Sequence, residues 1–232
     1  VRYLYLRDSL LDLIEGLEPG EPLPPERTLA ADLGASRMTV RKAIDELVAL
    51  GRVVRRHGAG TFVAAKVEQA LSATSFTEDM RARGMEPGSK DLGSDVVPAG
   101  AALGRRLEIS PAEPILRARR LRLADGLPMA IEVLHVPTAL APGLTGDDLV
   151  GRSFYATLRE RYDLVIAEGT QVLEATVTDP EESADLQVPL HTPAFLFERR
   201  SCDQHGRVVE FVRSVYRGDR YRITAAIKSP NP

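Results

Sequence analysis

Two arginines, Arg120 and Arg122, stand one residue apart in the run PILRARRLRLADG. In an extended strand such alternate side chains share a face, about 6.5–7 Å apart. Two guanidinium groups side by side repel unless an anion sits between them. A phosphate or a carboxylate satisfies both through charge-assisted hydrogen bonds. From these residues alone two readings stay open: an anion site, or an exposed charged strand face with surface ion pairs. Groups able to complete an anion site occur elsewhere in the chain. Glu132 follows the Asp125-Gly126 turn and faces the same way if the loop has three residues. Glu210 and Tyr216 share parity on VEFVRSVY. The triplets SFT (Ser75, Phe76, Thr77) and SFY (Ser153, Phe154, Tyr155) each begin a predicted helix, offering amides and hydroxyls at its start.

A second constellation is basic. The net charge of −3 hides a segregation: residues 1–35 carry −4, whereas residues 36–64 carry +4. Such a patch binds an anionic partner despite the negative total, because salt screens charges beyond ~10 Å. Ser36 caps a helix whose first turns hold Arg37, Thr39 and Arg41. These lie mostly off its apolar stripe of Val40, Ala43, Ile44, Leu47 and Leu50. A helix start attracts phosphate, and its first-turn side chains enter the DNA major groove, where arginine reads guanine through two hydrogen bonds. Arg27, early in the preceding helix, is placed to touch the DNA backbone. After Gly51 comes RVVRRHGAGTFVA. There Arg55, Arg56 and His57 add charge, and the tip with Gly58 and Gly60 permits close backbone approach.

The elements that position these groups read in order. Leu10, Leu11, Ile14 and Leu17 fall at helical spacing. Gly20 and Pro22 stop that helix, and PPERTLAADLG starts a second, ending at Gly34. Ser36 opens the third, which Gly51 ends. Val53-Val54 and Thr61-Phe62-Val63 then flank a glycine-rich tip, the pattern of a β-hairpin. Three helices and a hairpin form a winged helix-turn-helix over residues 1–64. A polar linker, 65–74, leads to a second domain, 75–232. Here five extended runs alternate with two or three short helices: PILRARRLRLA, PMAIEVLHVP, IAEGTQVLEATV, PAFLFERRSC and RVVEFVRSVYR. Asp125-Gly126 and His205-Gly206 signal hairpins. The expected fold is α+β in two domains, the second a mostly antiparallel sheet with helices.

Other chemistries find little support. His57, His135, His191 and His205 are scattered without a second ligand at metal spacing, so no metal is expected. The single cysteine, Cys202, cannot form an intramolecular disulfide and fits a reducing cytoplasm. No phosphate-binding glycine loop occurs, so no nucleotide cofactor is expected. No apolar run of ~18 residues exists, so no membrane partner is expected. A chain opening at Val1 is expected to lack some of its native N-terminus.

The stretch LPPERTLAADLGASRMTVRKAIDELVALGRVVRRHGAGTFV resembles the winged-helix domain of the GntR family of bacterial transcription regulators. In that family, residues matching Arg27, Arg37, Thr39, Arg41 and Gly58 contact operator DNA. SFTEDMRARGMEP, RLRLADGLPMAIE, SFYATLRERYDL and GRVVEFVRSVYRGDRYR resemble the effector-binding (UTRA) domain of its HutC branch, in particular repressors of N-acetylglucosamine utilisation. That domain has a chorismate-lyase-like architecture. The resemblance implies a cytoplasmic, homodimeric regulator, not an enzyme, on a pseudo-palindromic operator. Its implied effector is a small phosphorylated sugar, glucosamine 6-phosphate or N-acetylglucosamine 6-phosphate. Residues matching Ser75, the Phe76 main chain, Thr77, Arg120, Arg122, Ser153 and Tyr155 would hold the phosphate. Residues matching Glu132, Glu210 and Tyr216 would hold sugar hydroxyl and amino groups. Alternatives are a regulator of the same build sensing another sugar phosphate or a carboxylated metabolite, and a lyase-like enzyme with a DNA-binding appendage.

Overall fold

The computed structural model describes residues 2–49, 51–56, 58–64, 67–69 and 74–223. In chain order the elements are α1 (Arg2–Glu15), α2 (Glu26–Asp32), α3 (Arg37–Ala49), β1 (Val53–Arg56), β2 (Gly60–Val63) and β3 (Val67–Gln69). Then come α4 (Phe76–Ala82), β4 (Pro87–Pro98), α5 (Gly100–Leu107), β5 (Pro114–Ala124) and β6 (Leu127–Pro137). After a 3-10 turn (Asp147–Leu149) follow α6 (Phe154–Tyr162), β7 (Ile166–Val177), α7 (Pro180–Leu186), β8 (Pro193–Asp203), β9 (Val208–Arg217) and β10 (Tyr221–Ile223). The chain divides into two compact units, Val1–Glu68 with Gly218–Ile223, and Gln69–Arg217.

The first unit is built on the stripes that its helices present. Leu10 and Ile14 of α1, Leu29 of α2, and Val40, Ala43, Ile44 and Leu47 of α3 are buried in one cluster, closed by Val53 and Val63 of the hairpin. Leu50 lies outside the described residues. Each fully buried aliphatic side chain contributes about 1.5–3 kcal/mol. β1 and β2 pair antiparallel, Val53 opposite Val63 and Arg56 opposite Gly60. β3 pairs with β10, so the last described strand belongs with this unit. Gly51 ends the α3 segment at φ 63°, and a Cβ there would sit 2.3 Å from Asp219 Cβ. Only glycine fits both the backbone angle and that approach.

The second unit is a six-stranded sheet in the order β4-β5-β6-β9-β8-β7. All five pairings are antiparallel. β4 adds a strand to the five expected from sequence, and four helices stand where two or three were expected. On one face Leu116, Ala118 and Leu134 pack with Leu149, Phe154 and Leu158, which places the 3-10 turn and α6 there. On the other, Leu121 and Ile131 pack with Leu186 of α7, and Ile115 and Phe211 with Leu107 of α5. The two faces have opposite parity along β5.

The β5–β6 hairpin corrects one expectation. Ala124 pairs with Leu127, leaving the two-residue loop Asp125 (φ 50°) and Gly126 (φ 76°). Left-handed backbone at both positions is the type I′ turn that suits strand twist. Pairing then passes from Leu123–Pro128 to Arg122–Ala130, so Met129 is the extra residue of a β-bulge. A two-residue turn plus one bulged residue gives the parity that a three-residue loop would give. Arg120 therefore pairs directly with Glu132.

Candidate functional site

The site face of the sheet carries its polar groups in register. Arg120 lies opposite Glu132, Glu132 opposite Ser214, and Ser214 opposite Phe197. One step along the strands, Arg122 lies opposite Ala130, and Ala130 opposite Tyr216. At the other end Arg199 is opposite Gln171 and Val212, and Ser201 is opposite Glu210. Ser75, Phe76, Thr77, Arg120, Arg122, Glu132, Tyr155, Glu210 and Tyr216 all line a single cleft here. Ser153 stands beside it as the N-cap of α6, with its hydroxyl 3.2 Å from Ser75 Oγ.

Local chemistry fixes each side chain. Ser75 and Glu78 form a reciprocal capping box at the start of α4: Glu78 N–H donates to Ser75 Oγ, and Ser75 N–H donates to Glu78 Oε2. Thr77 Oγ1 accepts from Arg122 Nη2 at 3.1 Å, and the Arg122 guanidinium lies 4.7 Å from the Phe76 ring centre. Arg120 donates through Nε to Glu132 Oε1 at 3.0 Å and through Nη2 to the same oxygen. Its Nη1 reaches the Leu149 carbonyl at 3.4 Å. Tyr155 O–H donates to Glu210 Oε1 at 2.5 Å, and Ser201 O–H to the same oxygen at 2.7 Å. Tyr216 packs edge-on against Phe197, ring centres 4.8 Å apart.

The two carboxyls are pushed apart electrically. Burial pushes Glu132 up, but Arg120 and then Arg122 outweigh it and hold the group below the usual carboxylate range. Burial also pushes Glu210 up; the Ser201 and Tyr155 hydrogen bonds do not offset it, and the group stays above that range. Tyr216 is pushed up to about 12 by burial and by the Glu132 charge. One carboxylate is thus an anion held among cations. The other is poised toward its neutral form.

Arg199 and Gln171 also line the cleft and carried no sequence signal that singled them out. Arg199 donates to Gln171 Oε1 at 2.8 Å and to the Thr74 carbonyl at 3.0 Å. Its neighbour Arg200 points to the opposite face and pairs with Glu108 at 2.9 Å. Only the strand register tells these adjacent arginines apart.

In the first unit Arg27, Arg37, Gly58 and Gly60 border one open concavity with Arg55 and Arg56. Gly58 (φ 70°) and Gly60 (φ 117°) take backbone angles that favour glycine. Ser36 Oγ accepts from Thr39 N–H at 3.1 Å, capping α3, and the two hydroxyls are 2.7 Å apart. Arg41 is exposed and leans on Glu26, Nη2 to Oε2 at 3.2 Å. Arg55 meets the other oxygen of Glu26 at 3.5 Å and pairs with Asp45. One acid thereby steadies a side chain of α3 and one of the wing. His57 lies outside the described residues. Among the described residues no three His, Cys, Asp or Glu side chains converge as a metal site, and no helix is long and apolar enough to cross a membrane.

A basic winged helix and an arginine-lined sheet face are therefore parts of one chain. Residues 3–63 match the model of the bacterial regulatory proteins of the gntR family, and residues 82–222 match the UTRA domain. This chain belongs to the GntR family, in its UTRA-bearing HutC branch. The GntR assignment is supported along the whole chain. It is 40% identical over 207 residues to the HTH-type transcriptional repressor NagR of Bacillus subtilis, covering 88% of this chain and 85% of NagR. It is 32% identical over 236 residues to the HTH-type transcriptional repressor PhnF of Mycolicibacterium smegmatis, covering 100% of this chain and 94% of PhnF. The crystal structure of PhnF from Mycobacterium smegmatis superposes with a TM-score of 0.68 at 33% identity, over 97% of this chain and 99% of that one. As a GntR/HutC-type protein it is a transcriptional repressor, and GntR regulators bind operator DNA and effector ligands.

Proposed function

We propose that this repressor senses a small phosphorylated amino sugar, glucosamine 6-phosphate or N-acetylglucosamine 6-phosphate, and binds a pseudo-palindromic operator as a homodimer. The observation that carries the reading is the pair Arg120 and Arg122, each 3% exposed, on the same sheet face as Glu132 and Glu210. Buried arginines flanked by Thr77 and the start of α6 suit a phosphate dianion. The carboxyls suit sugar hydroxyls and an ammonium. Residues 1–64 would engage DNA: Arg37, Thr39 and Arg41 in the major groove, Arg27 on the phosphates, and the wing at Gly58 alongside. The segment between Gln69 and Ser75 would act as linker, and residues 75–217 would supply effector binding and the dimer contact. The similarity to NagR supports an amino-sugar effector. A carboxylated sugar phosphate is the second reading, favoured by Arg199 as a third cation in the cleft.

A thermal-shift panel of sugar phosphates, amino-sugar phosphates, carboxylated sugar phosphates and free sugars tests this. An effector present at about 100 times its Kd stabilises the fold by about 2.7 kcal/mol, readily seen as a raised midpoint. No rise with any phosphorylated sugar, alongside a rise with an uncharged one, refutes the reading.

A further inference from the structure

Glu26 is the one acid among the described residues that border the open concavity of the first unit, where it stands with Arg27, Arg37, Arg55 and Arg56. A carboxylate on a surface that meets phosphate opposes binding to DNA of any sequence. Its contacts give it a different task.

A guanidinium has two edges able to make paired hydrogen bonds: Nε with one Nη, and the two Nη groups together. Glu26 takes the first edge of Arg41, with Oε2 3.2 Å from Nε and 3.2 Å from Nη2. Among the described residues no hydrogen bond uses Arg41 Nη1, and the side chain is 65% exposed. The second edge is a fork that matches guanine O6 and N7. A long side chain already held by a carboxylate also loses less rotamer freedom on docking than a free one. The other oxygen of Glu26 lies 3.5 Å from Arg55 Nη2, and Arg55 pairs with Asp45 of α3. One carboxylate on α2 thus sets an arginine of α3 relative to the wing strand β1. Exposed ion pairs of this kind contribute little to the fold.

We propose that Glu26 is a positioning residue for sequence recognition. By clasping the Nε edge of Arg41 it presents the far end of that guanidinium to a base in the major groove, while its charge weakens attachment to DNA in general. This rests on the reading above that Arg41 enters the major groove.

Anisotropy titrations of the full chain with two duplexes test it. One duplex is selected from a randomised pool by the unaltered protein, and the other is a scrambled duplex of the same composition. Glu26→Ala should bind the selected duplex ~10-fold more weakly, and the scrambled duplex as tightly as the parent or more so. Glu26→Gln, which keeps the length without the charge, should shift both affinities in the same directions. In an Arg41→Ala background, Glu26→Ala should change the ratio of the two affinities no further, because no guanidinium remains to be held. A residue that only supported the fold would weaken both duplexes in both backgrounds. A ratio within ~2-fold of the parent's in Glu26→Ala, or one that falls equally with and without Arg41, overturns the proposal. If Arg41→Ala alone still lowers the ratio in that case, the major-groove reading of Arg41 survives. If Arg41→Ala leaves the ratio unchanged, both fall. Should Glu26→Ala not fold, Glu26→Gln carries the same test. If neither folds, Glu26 is a structural residue and the proposal falls.

Discussion

At the scale of single residues, the two cleft glutamates respond to pH in opposite directions. Burial holds Glu210 above the ordinary carboxylate range. Its contribution to stability is therefore present below the unfolded value of about 4.3 and lost as pH rises through the raised value. Glu210→Gln cannot ionise, so its melting temperature should exceed that of the parent by a margin that grows from pH 4 to pH 8. A margin that shrinks over that range contradicts the assignment. Glu132 is the mirror case: burial opposes its charge, but Arg120 and Arg122 hold it low. Its contribution is present above about 4.3 and lost as pH falls through the depressed value. In the basic unit, Arg41 is exposed on α3 and steadied by Glu26. Arg41→Ala should weaken operator binding by about 1–3 kcal/mol if it reads a base. If it touches only phosphate, the loss is the same on all sequences and the salt slope drops by about 1. Titrating operator and random duplex at several salt concentrations separates the two. Equal operator affinity in parent and variant would remove Arg41 from the interface.

At the scale of elements, the second unit shows what a sequence does and does not announce. β6, β8 and β9 are legible because β-branched or aromatic residues recur in them between turn signals, and β5 because arginines alternate with apolar residues ahead of the Asp125-Gly126 turn. β4 is not: PGSKDLGSDVVP has two glycines and no alternation, because an edge strand exposed along much of its length needs no apolar face. α7 did carry a signature, Asp179-Pro180-Glu181-Glu182, a capping box with proline in the first turn. Its seven residues were too few to show a periodicity. The bulge at Met129 was invisible, yet the expected parity of Glu132 survived because bulge and turn together count like a longer loop. Arg199 was missed because parity needs a register, and FERR offers two adjacent arginines with nothing to choose between them. Helix α7 packs on the face opposite the cleft, where Glu181 and Asp185 pair with Arg119. Asp179→Ala should therefore lower stability by about 1 kcal/mol by urea denaturation. Effector affinity should stay unchanged; a large loss would mean that α7 also shapes the cleft.

At the scale of the whole molecule, the sequence offered two domains in simple succession, whereas the first compact unit also takes in Gly218–Ile223. β10 pairs with β3, Tyr221 is 2% exposed, and Asp219 backs Gly51. A chain stopped after Arg217 keeps every residue of the helical core of the first unit but loses these three supports. Its first unit should melt several degrees lower by calorimetry, and an unchanged transition would show that the terminal strand is dispensable. The same topology bears on how the protein is made. Synthesis runs from the N-terminus at ~5–20 residues per second, so about 8–30 s pass between the emergence of β3 and that of its partner strand. β9 ends at Arg217 and β10 begins at Tyr221, so at that rate the two units receive their last described strands within about a second of each other. The first unit can therefore fold its helical core early in synthesis, but its terminal strand reaches it only once the second unit's sheet has been made.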